Sequence, residues 1–447
     1  METNIDMMGW KEAKLRDLIC DFKRGIAYSS EDISSPNGIP MMNLASIDKT
    51  GYYREGEMKF YSGRYDEADK IYPDEMLIAC TDLTRDAIII GTPIKVPNES
   101  DFFLFTMDLA KLRPNDCIDP DFMYYALKTN TYRKYIKPWA SGTNVLHLNL
   151  NGVYNYTLKY PVSKNAQKSI ARILLNIDKK IAINKRINHY LEAMARQLYD
   201  YWFVQFDFPD ANGKPYKSSG GKMVWNDRLK REIPLGWDSM TIGEYAPCKG
   251  GYAFKSSSFC EEGIPVIKIG NIQEDYTLNM SDSQCISDFT NVSYFAHRYD
   301  LVIAMTGATI GKFAVSQREY LINQRVGRFD LGNNPISKLG YILNSLKQDY
   351  FREQIFQISG GCAQPNISSD QIDSIVILKP DTSLLSEFNV RCESLISQQS
   401  ELLLQIEHLI TLRNEILPLL MNGQIGIKQL NNDLPLTFII IRKTSQI

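Results

Sequence analysis

Two long stretches of the chain carry apolar side chains at alternating intervals of four and three residues. The first runs through Ile170, Leu174, Ile177, Ile181, Asn184, Asn188, Leu191, Ala195, Leu198 and Trp202. The second runs through Phe388, Cys392, Leu395, Gln399, Leu402, Ile406, Leu409, Arg413, Ile416 and Leu420. Sustained heptads of this kind predict two long helices in coiled-coil packing, with Asn184, Asn188, Gln399 and Arg413 setting register at some cost in stability. A helix of about 40 residues spans roughly 60 Å, the length of a strut. The same pattern also suits amphipathic helices that each lie on their own domain.

Before each long helix the pattern is different. Short β-branched or continuous apolar runs, MLIAC at 76–80, AIIIG at 87–91, LVIAM at 301–305 and FAV at 313–315, predict strands between Gly, Pro, Asn and Asp clusters. Helical spacing returns in DFMYYALKTNTYRKYI at 121–136 and LGYILNSLKQDYFREQIF at 339–356. These two blocks echo each other: GIPMMNLASI at 38–47 recurs as GIPVIKIGNI at 263–272, 225 positions on. The same offset carries EMLIA at 75–79 onto DLVIA at 300–304, and Thr81 onto Thr306. Farther along, SGTNV at 141–145 answers SGGCA at 359–363 at an offset of 218. A mixed α and β unit of about 200 residues is therefore present twice, too large for a solenoid repeat.

Composition adds little to this picture. With 44% hydrophobic and 23% charged residues the chain reads as an ordinary globular protein, and its apolar runs are far too short for a membrane span. The start, Met-Glu-Thr-Asn-Ile-Asp, shows no basic region followed by an apolar one, so a cytoplasmic protein is expected. Eight scattered cysteines and four separated histidines give no zinc-ligand spacing; reduced, mostly buried thiols are expected. Net charge is only −2, yet residues 164–200 hold eight Lys or Arg against three acids, and residues 214–231 hold six against one.

Common catalytic groupings are absent together. GATIGK at 307–312 is one residue too short for a phosphate loop, and Phe313 stands where a hydroxyl should hold magnesium. No Pro-Pro pair exists to form the usual adenine-methyltransferase tetrapeptide, and neither a Gly-x-Ser-x-Gly elbow nor a His-Glu-x-x-His helix occurs. Turn-rich segments remain: TDLTRD at 81–86, SGTNVLHLN at 141–149, TGATIGK at 306–312, NQR at 323–325 and SGGCAQPN at 359–366. Asn and Gln pair bidentately with adenine, Arg and Lys bond guanine, and Gly admits a phosphate backbone. Such residues are also common in plain turns; their recurrence at matching places in both units is what singles them out.

Tyr201-Trp202-Phe203, Asp207-Phe208-Pro209, NGKPYK at 212–217, IPLGW at 233–237, TGATIG at 306–311 and the SGG-x-x-Q-x-N-I phrase at 359–367 together resemble the specificity subunit of type I restriction-modification systems. The likeness runs from residue 12 to about 424. It implies an α+β protein in which two similar mixed α/β target recognition domains are joined by two long helices forming an antiparallel coiled coil with pseudo-two-fold symmetry. The expected division is 1–162 for the first recognition domain, 163–204 for the first long helix and 205–236 for a connector. The second recognition domain then takes 237–381, the second long helix 382–424 and a tail 425–447. Each domain is expected to read one half of a split double-stranded DNA target, with the helices setting the spacing.

The resemblance further implies a non-catalytic chain that carries two modification subunits and, in a larger complex, restriction subunits. S-adenosylmethionine, ATP and magnesium are then expected on those partners and no cofactor or metal on this chain, with no membrane contact. Candidate DNA contacts are Arg85, Thr143, Asn144 and His147 in the first unit. In the second they are Lys312, Asn323, Gln324, Arg325, Gln364 and Asn366. Two departures stand out: the first unit has SGTNVLHL in place of SGG-x-x-Q, and the tail after Ile425 does not resemble the family's ending. Rival readings are a single-chain DNA methyltransferase or nuclease, and a coiled-coil scaffold that binds protein alone.

Overall fold

Gly38-Ile39-Pro40 and its echo Gly263-Ile264-Pro265 open the same strand in two copies of one architecture. The computed structural model describes residues 9–34, 37–48, 50–54, 56–84, 86–281, 283–359, 366–428 and 439–442. It divides into a first unit of residues 1–181 with 408–447 and a second of residues 182–407.

In the first unit, Ile39–Met42 runs parallel to Leu104–Phe105 and antiparallel to Lys59–Tyr61. In the second, Ile264–Ile267 runs parallel to Tyr320–Ile322 and antiparallel to Cys285–Ile286. A four-stranded antiparallel sheet lies beside each: Ile19–Arg24, Leu109–Pro114, Met76–Ala79 and Pro93–Lys95 in one, Cys248–Gly250, Val326–Phe329, Leu301–Ala304 and Phe313–Val315 in the other. The two sheets of each unit approach closely at a glycine. A Cβ on Gly25 would stand 2.0 Å from the Phe105 carbonyl oxygen, and one on Gly251 would stand 2.2 Å from that of Asn323.

Continuous apolar runs at 76–79 and 301–304 follow from where these strands lie. Alternate side chains of a strand point to opposite faces, and both faces here are covered. Met76 and Ile78 join the core beneath the helices while Leu77 and Ala79 join the core between the sheets. Leu301 and Ile303 divide from Val302 and Ala304 in the same way. AIIIG at 87–91, by contrast, is not the strand its composition predicts. It forms a loop, and Pro93–Lys95 supplies the strand instead. The reason lies in two side chains, one near and one distant: Asp82 accepts from the Ile89 and Ile90 amides, and Arg133 donates to the Ala87, Ile88 and Ile90 carbonyls.

The helical stretch at 121–136 breaks into α1 (Pro120–Ala126) and α2 (Asn130–Ile136), followed by α3 (Leu150–Asn155). The break has a cause in the side chains. The Thr129 hydroxyl accepts from the Tyr132 amide and caps a new helix. Lys128 meanwhile turns inward, donating to the Gly51 carbonyl at 2.5 Å with its ammonium 3.6 Å from the Tyr52 ring centre. Burial pushes this ammonium down from 10.5 to about 7, and neighbouring Arg413 pushes the same way. The folded pKa thus lies below the unfolded one, so between about pH 7 and about pH 10 the unfolded chain holds the extra proton and stability rises with pH. Lys128→Met is expected to remove that rise, read as the difference between urea midpoints at about pH 7 and about pH 9; an unchanged pH dependence in the variant would contradict the assignment.

The long helices are α4 (Lys164–Tyr199), extended by a π turn at Asp200–Val204, and α9 (Thr382–Met421). The second unit repeats the first with α5 (Ile242–Tyr245), α6 (Ile336–Leu346), α7 (Asp349–Ile358) and α8 (Ser369–Asp373) before α9 (Thr382–Met421). Its helical stretch at 339–356 is likewise split, at Lys347 and Gln348. Lys347 also turns inward, 3.0 Å from Glu192 on α4.

Each polar heptad position finds a partner on the other long helix, and Asn188 and Gln399 meet each other. In the second unit Asn184 donates to Gln405 at 3.1 Å and Gln399 donates to the Asn188 carbonyl at 3.4 Å. Rising numbers on α4 meet falling numbers on α9, so the pair is antiparallel. In the first unit Arg413 donates to Asp178 at 2.7 Å, and Ile170 and Leu174 share a core with Ile416 and Leu420.

The connector is ordered by ring stacking: Phe208 lies between Tyr216 and Trp237, with ring centres 4.8 and 4.7 Å away. The tail forms an antiparallel strand pair, Ile425–Lys428 with Ile439–Arg442. Among the described cysteines, Cys80, Cys248, Cys285 and Cys392 are buried, Cys20 and Cys117 are exposed, and all are free thiols.

Candidate nucleic-acid interface

Three loops of the second unit are laced together by backbone hydrogen bonds. The Met305 amide donates to the Arg325 carbonyl at 3.0 Å, and the Ile367 amide donates to the Met305 carbonyl at 2.9 Å. Thr306 bridges to Asn366 beside them. The first of these loops, TGATIGK, closes between two strands because the Gly311 amide returns to the Ala304 carbonyl at 2.9 Å. Gly311 has φ +78°, a left-handed conformation that favours glycine.

The lacing places several sequence candidates on one edge. Gln324 and Arg325 are exposed at the turn between Tyr320–Ile322 and Val326–Phe329, while Asn323 is half-buried at its start. Arg325 donates to the Asn366 side-chain oxygen at 3.3 Å, joining two candidates from distant parts of the chain. Lys312 ends the glycine loop, half-buried, with its ammonium 3.1 Å from Glu274. Gln364 lies outside the described residues.

The first unit uses the same lacing with other side chains. The Cys80 amide donates to the Asp108 carbonyl at 2.7 Å and the Leu148 amide donates to the Cys80 carbonyl at 2.9 Å. His147 pairs with Thr81 across the strands, as Asn366 does with Thr306. His147 is therefore the counterpart of Asn366 and is exposed like it. Thr143 and Asn144 are exposed in the loop joining Ala140–Ser141 to Leu146–Leu148. Arg85 lies outside the described residues.

One part of this edge escapes the sequence reading. The counterpart of Asn323-Gln324-Arg325 is Thr106-Met107-Asp108, a turn of the same backbone form with Met107 47% exposed and no cation. The signal was the register itself, because the repeat offset has fallen from 225 to 217 by this point. Met107 and Asp108 do not look like base readers, and only the shared lacing identifies the turn.

Among the described residues no group of three or more His, Cys, Asp or Glu is placed to hold a metal ion. Asp210 accepts from the backbone amides of Asn212 and Lys214 at 2.8 Å and shapes a turn. Among the described residues no helix is long and apolar enough to cross a membrane.

Comparison with known proteins identifies the family. The family model for the type I restriction modification DNA specificity domain matches residues 7–193 and again 234–383, one segment for each recognition module. The chain is 22% identical over 322 residues to the type I restriction enzyme MjaIX specificity subunit of Methanocaldococcus jannaschii, covering 71% of this chain and 72% of that one. It is 26% identical over 344 residues to the MjaVIII specificity subunit of the same organism, covering 73% and 76%. Among solved structures, the type I restriction-modification S subunit from M. genitalium has a similar fold, with TM-score 0.56 at 18% identity over 92% of this chain and 96% of that one.

Proposed function

Because this chain belongs to the type I restriction-modification DNA specificity family and is a DNA sequence-specificity subunit, we propose that its two laced edges each read one half of a bipartite double-stranded target. The observation that carries this reading is a single backbone frame bearing different side chains. Asn323-Gln324-Arg325 and Asn366 stand on one copy, Thr106-Met107-Asp108 and His147 on the other. Two readers of unlike half-sites need a shared frame with divergent donors and acceptors, because base identity is read by groups at groove edges. Phosphate contacts fix register without carrying sequence.

The paired helices set the spacing of the halves, an assignment supported by the polar pairs that hold their register. Modification subunits dock along them. The feature supporting this is an apolar stripe on the outer face of α4, Ile183, Ile187, Tyr190 and Met194, each at least 41% exposed and spaced as one helical face. Methyl transfer from S-adenosylmethionine, and ATP- and magnesium-dependent cleavage where restriction subunits join, belong to those partners.

Arg325→Ala and Asn366→Ala test the reading in the assembled complex with its modification subunits. Each is expected to weaken discrimination at one half-site by about 1–3 kcal/mol, the worth of a lost bidentate base contact. Competition against duplexes scrambled in one half or the other measures it. A loss equal on all sequences counts against base reading by these residues.

A further inference from the structure

We propose that Asp82 and Arg133 are positioning residues that hold residues 82–84 and 86–91 of the first unit in the shape that decides its half-site preference. The proposal rests on the reading of this edge as a DNA reader and names what sets its selectivity.

Asp82 is fully buried, yet it serves only its own loop. One carboxylate oxygen accepts from the Thr84 amide and the Thr84 hydroxyl, both at 2.7 Å. The other accepts from the amides of Ile89 at 2.6 Å and Ile90 at 2.9 Å. The Thr84 hydroxyl in turn accepts from the Ile88 amide at 2.9 Å. From the opposite side Arg133 donates to the carbonyls of Ala87 at 3.3 Å, Ile88 at 2.6 Å and Ile90. A buried carboxylate is strongly unfavourable unless its lone pairs are met. Here they are met entirely by the backbone and hydroxyl of residues 84–90.

The clamp holds a conformation that the residues would not choose alone. Ala87 has φ +50°, in the left-handed region that residues with a Cβ rarely adopt. The run at 87–91 is apolar and β-prone, and the clamp supplies the partners of the Ile89 and Ile90 amides and of the Ala87, Ile88 and Ile90 carbonyls. At its base the loop is joined to the candidate contacts, since Asp82 pairs with Leu146 and Thr81 with His147. Its shape therefore reaches the hairpin that carries Thr143 and Asn144. Leu83, 67% exposed, shows that part of the loop faces outward.

The device belongs to one unit only. Gly307 stands at the place of Asp82, the loop to the matching left-handed glycine is five residues shorter (Thr81 to Gly91 against Thr306 to Gly311), and Arg352, at the place of Arg133, is exposed. A clamp that served the general fold would be expected in both copies. One confined to a loop that differs between the copies is suited to setting what that copy prefers.

The test uses the full chain assembled with its modification subunits and duplexes scrambled in either half of the mapped target. Asp82→Asn keeps the shape but puts an amide donor where two amide donors must be accepted, and Arg133→Gln removes the carbonyl clamp. Each is expected to reduce discrimination by about tenfold or more at the half-site that Arg325→Ala leaves intact. Discrimination at the other half should stay within about twofold. Hydrogen exchange should quicken at the Ile89 and Ile90 amides while Leu77 and Ile78 stay protected. The proposal is overturned by faster exchange with discrimination unchanged, or by loss at both halves. Melting of the first unit in both variants overturns it too, since the residues would then serve folding. A wild-type complex that discriminates against neither scrambled half fails the underlying reading before any variant is made.

Discussion

Replacing Phe203 with alanine is expected to lower the stability of the second unit by about 4 kcal/mol, the cost of deleting a buried aromatic ring that its neighbours cannot refill. Phe203 is fully buried in the π turn that ends α4, with ring centres of Phe388 at 4.8 Å, Tyr341 and Tyr199 at 5.2 Å and Trp237 at 5.9 Å. It thus joins the end of one long helix to the other long helix, to α6 and to Trp237 just past the connector. Edge-to-face pairs such as those with Phe388 and Tyr341 add about 0.5–1.5 kcal/mol each beyond simple burial. Urea unfolding followed by the fluorescence of adjacent Trp202 and Trp237 measures the loss. Val204→Ala, 42% exposed in the same turn, is the control and should cost less than about 0.5 kcal/mol. Equal effects of the two substitutions would mean that the aromatic cluster is not what holds this junction.

The second large effect is expected at the ion pair between the long helices in the first unit. Asp178→Ala should cost about 3 kcal/mol, because it strands a guanidinium in a buried setting. The Arg413 side chain is 10% exposed and that of Asp178 19%, with 2.7 Å between them. Asp178 also accepts from the Tyr125 hydroxyl at 2.7 Å, which would lose its acceptor. Removing both charges together, as Asp178→Leu with Arg413→Leu, should cost much less than Asp178→Ala, since breaking a buried pair is worse than replacing it. Denaturant midpoints of the two variants decide the matter. A double variant as unstable as the single one would show that packing, not the stranded charge, governs this seam.

Much of the candidate edge was legible as a list of residues and little of it as a surface. Arg325 and Asn366 stand out from sequence because each lies in a turn of polar residues. Their hydrogen bond does not, since 41 positions separate them and only the lacing through Met305 brings them together. The pairing of His147 with Thr81 was similarly hidden, because the repeat offset drifts through loops of unequal length. Lys312 reads as a DNA contact in sequence, while its partner Glu274 lies 38 residues away along the chain.

What the chain determined without its fold is whatever depends on period and repetition. Heptad spacing marks both long helices and their polar register positions, and the doubled GIP phrase marks two copies of one module, because periodicity is a local property read along the chain. Tertiary structure alone decided where backbone hydrogen bonds go. AIIIG has the composition of a strand and becomes a loop, since a buried carboxylate and an arginine 43 or more residues away satisfy its amides and carbonyls first. The helical stretch at 121–136 breaks for a related reason: Lys128 reaches a carbonyl 77 positions away, and no local propensity can register a partner at that distance.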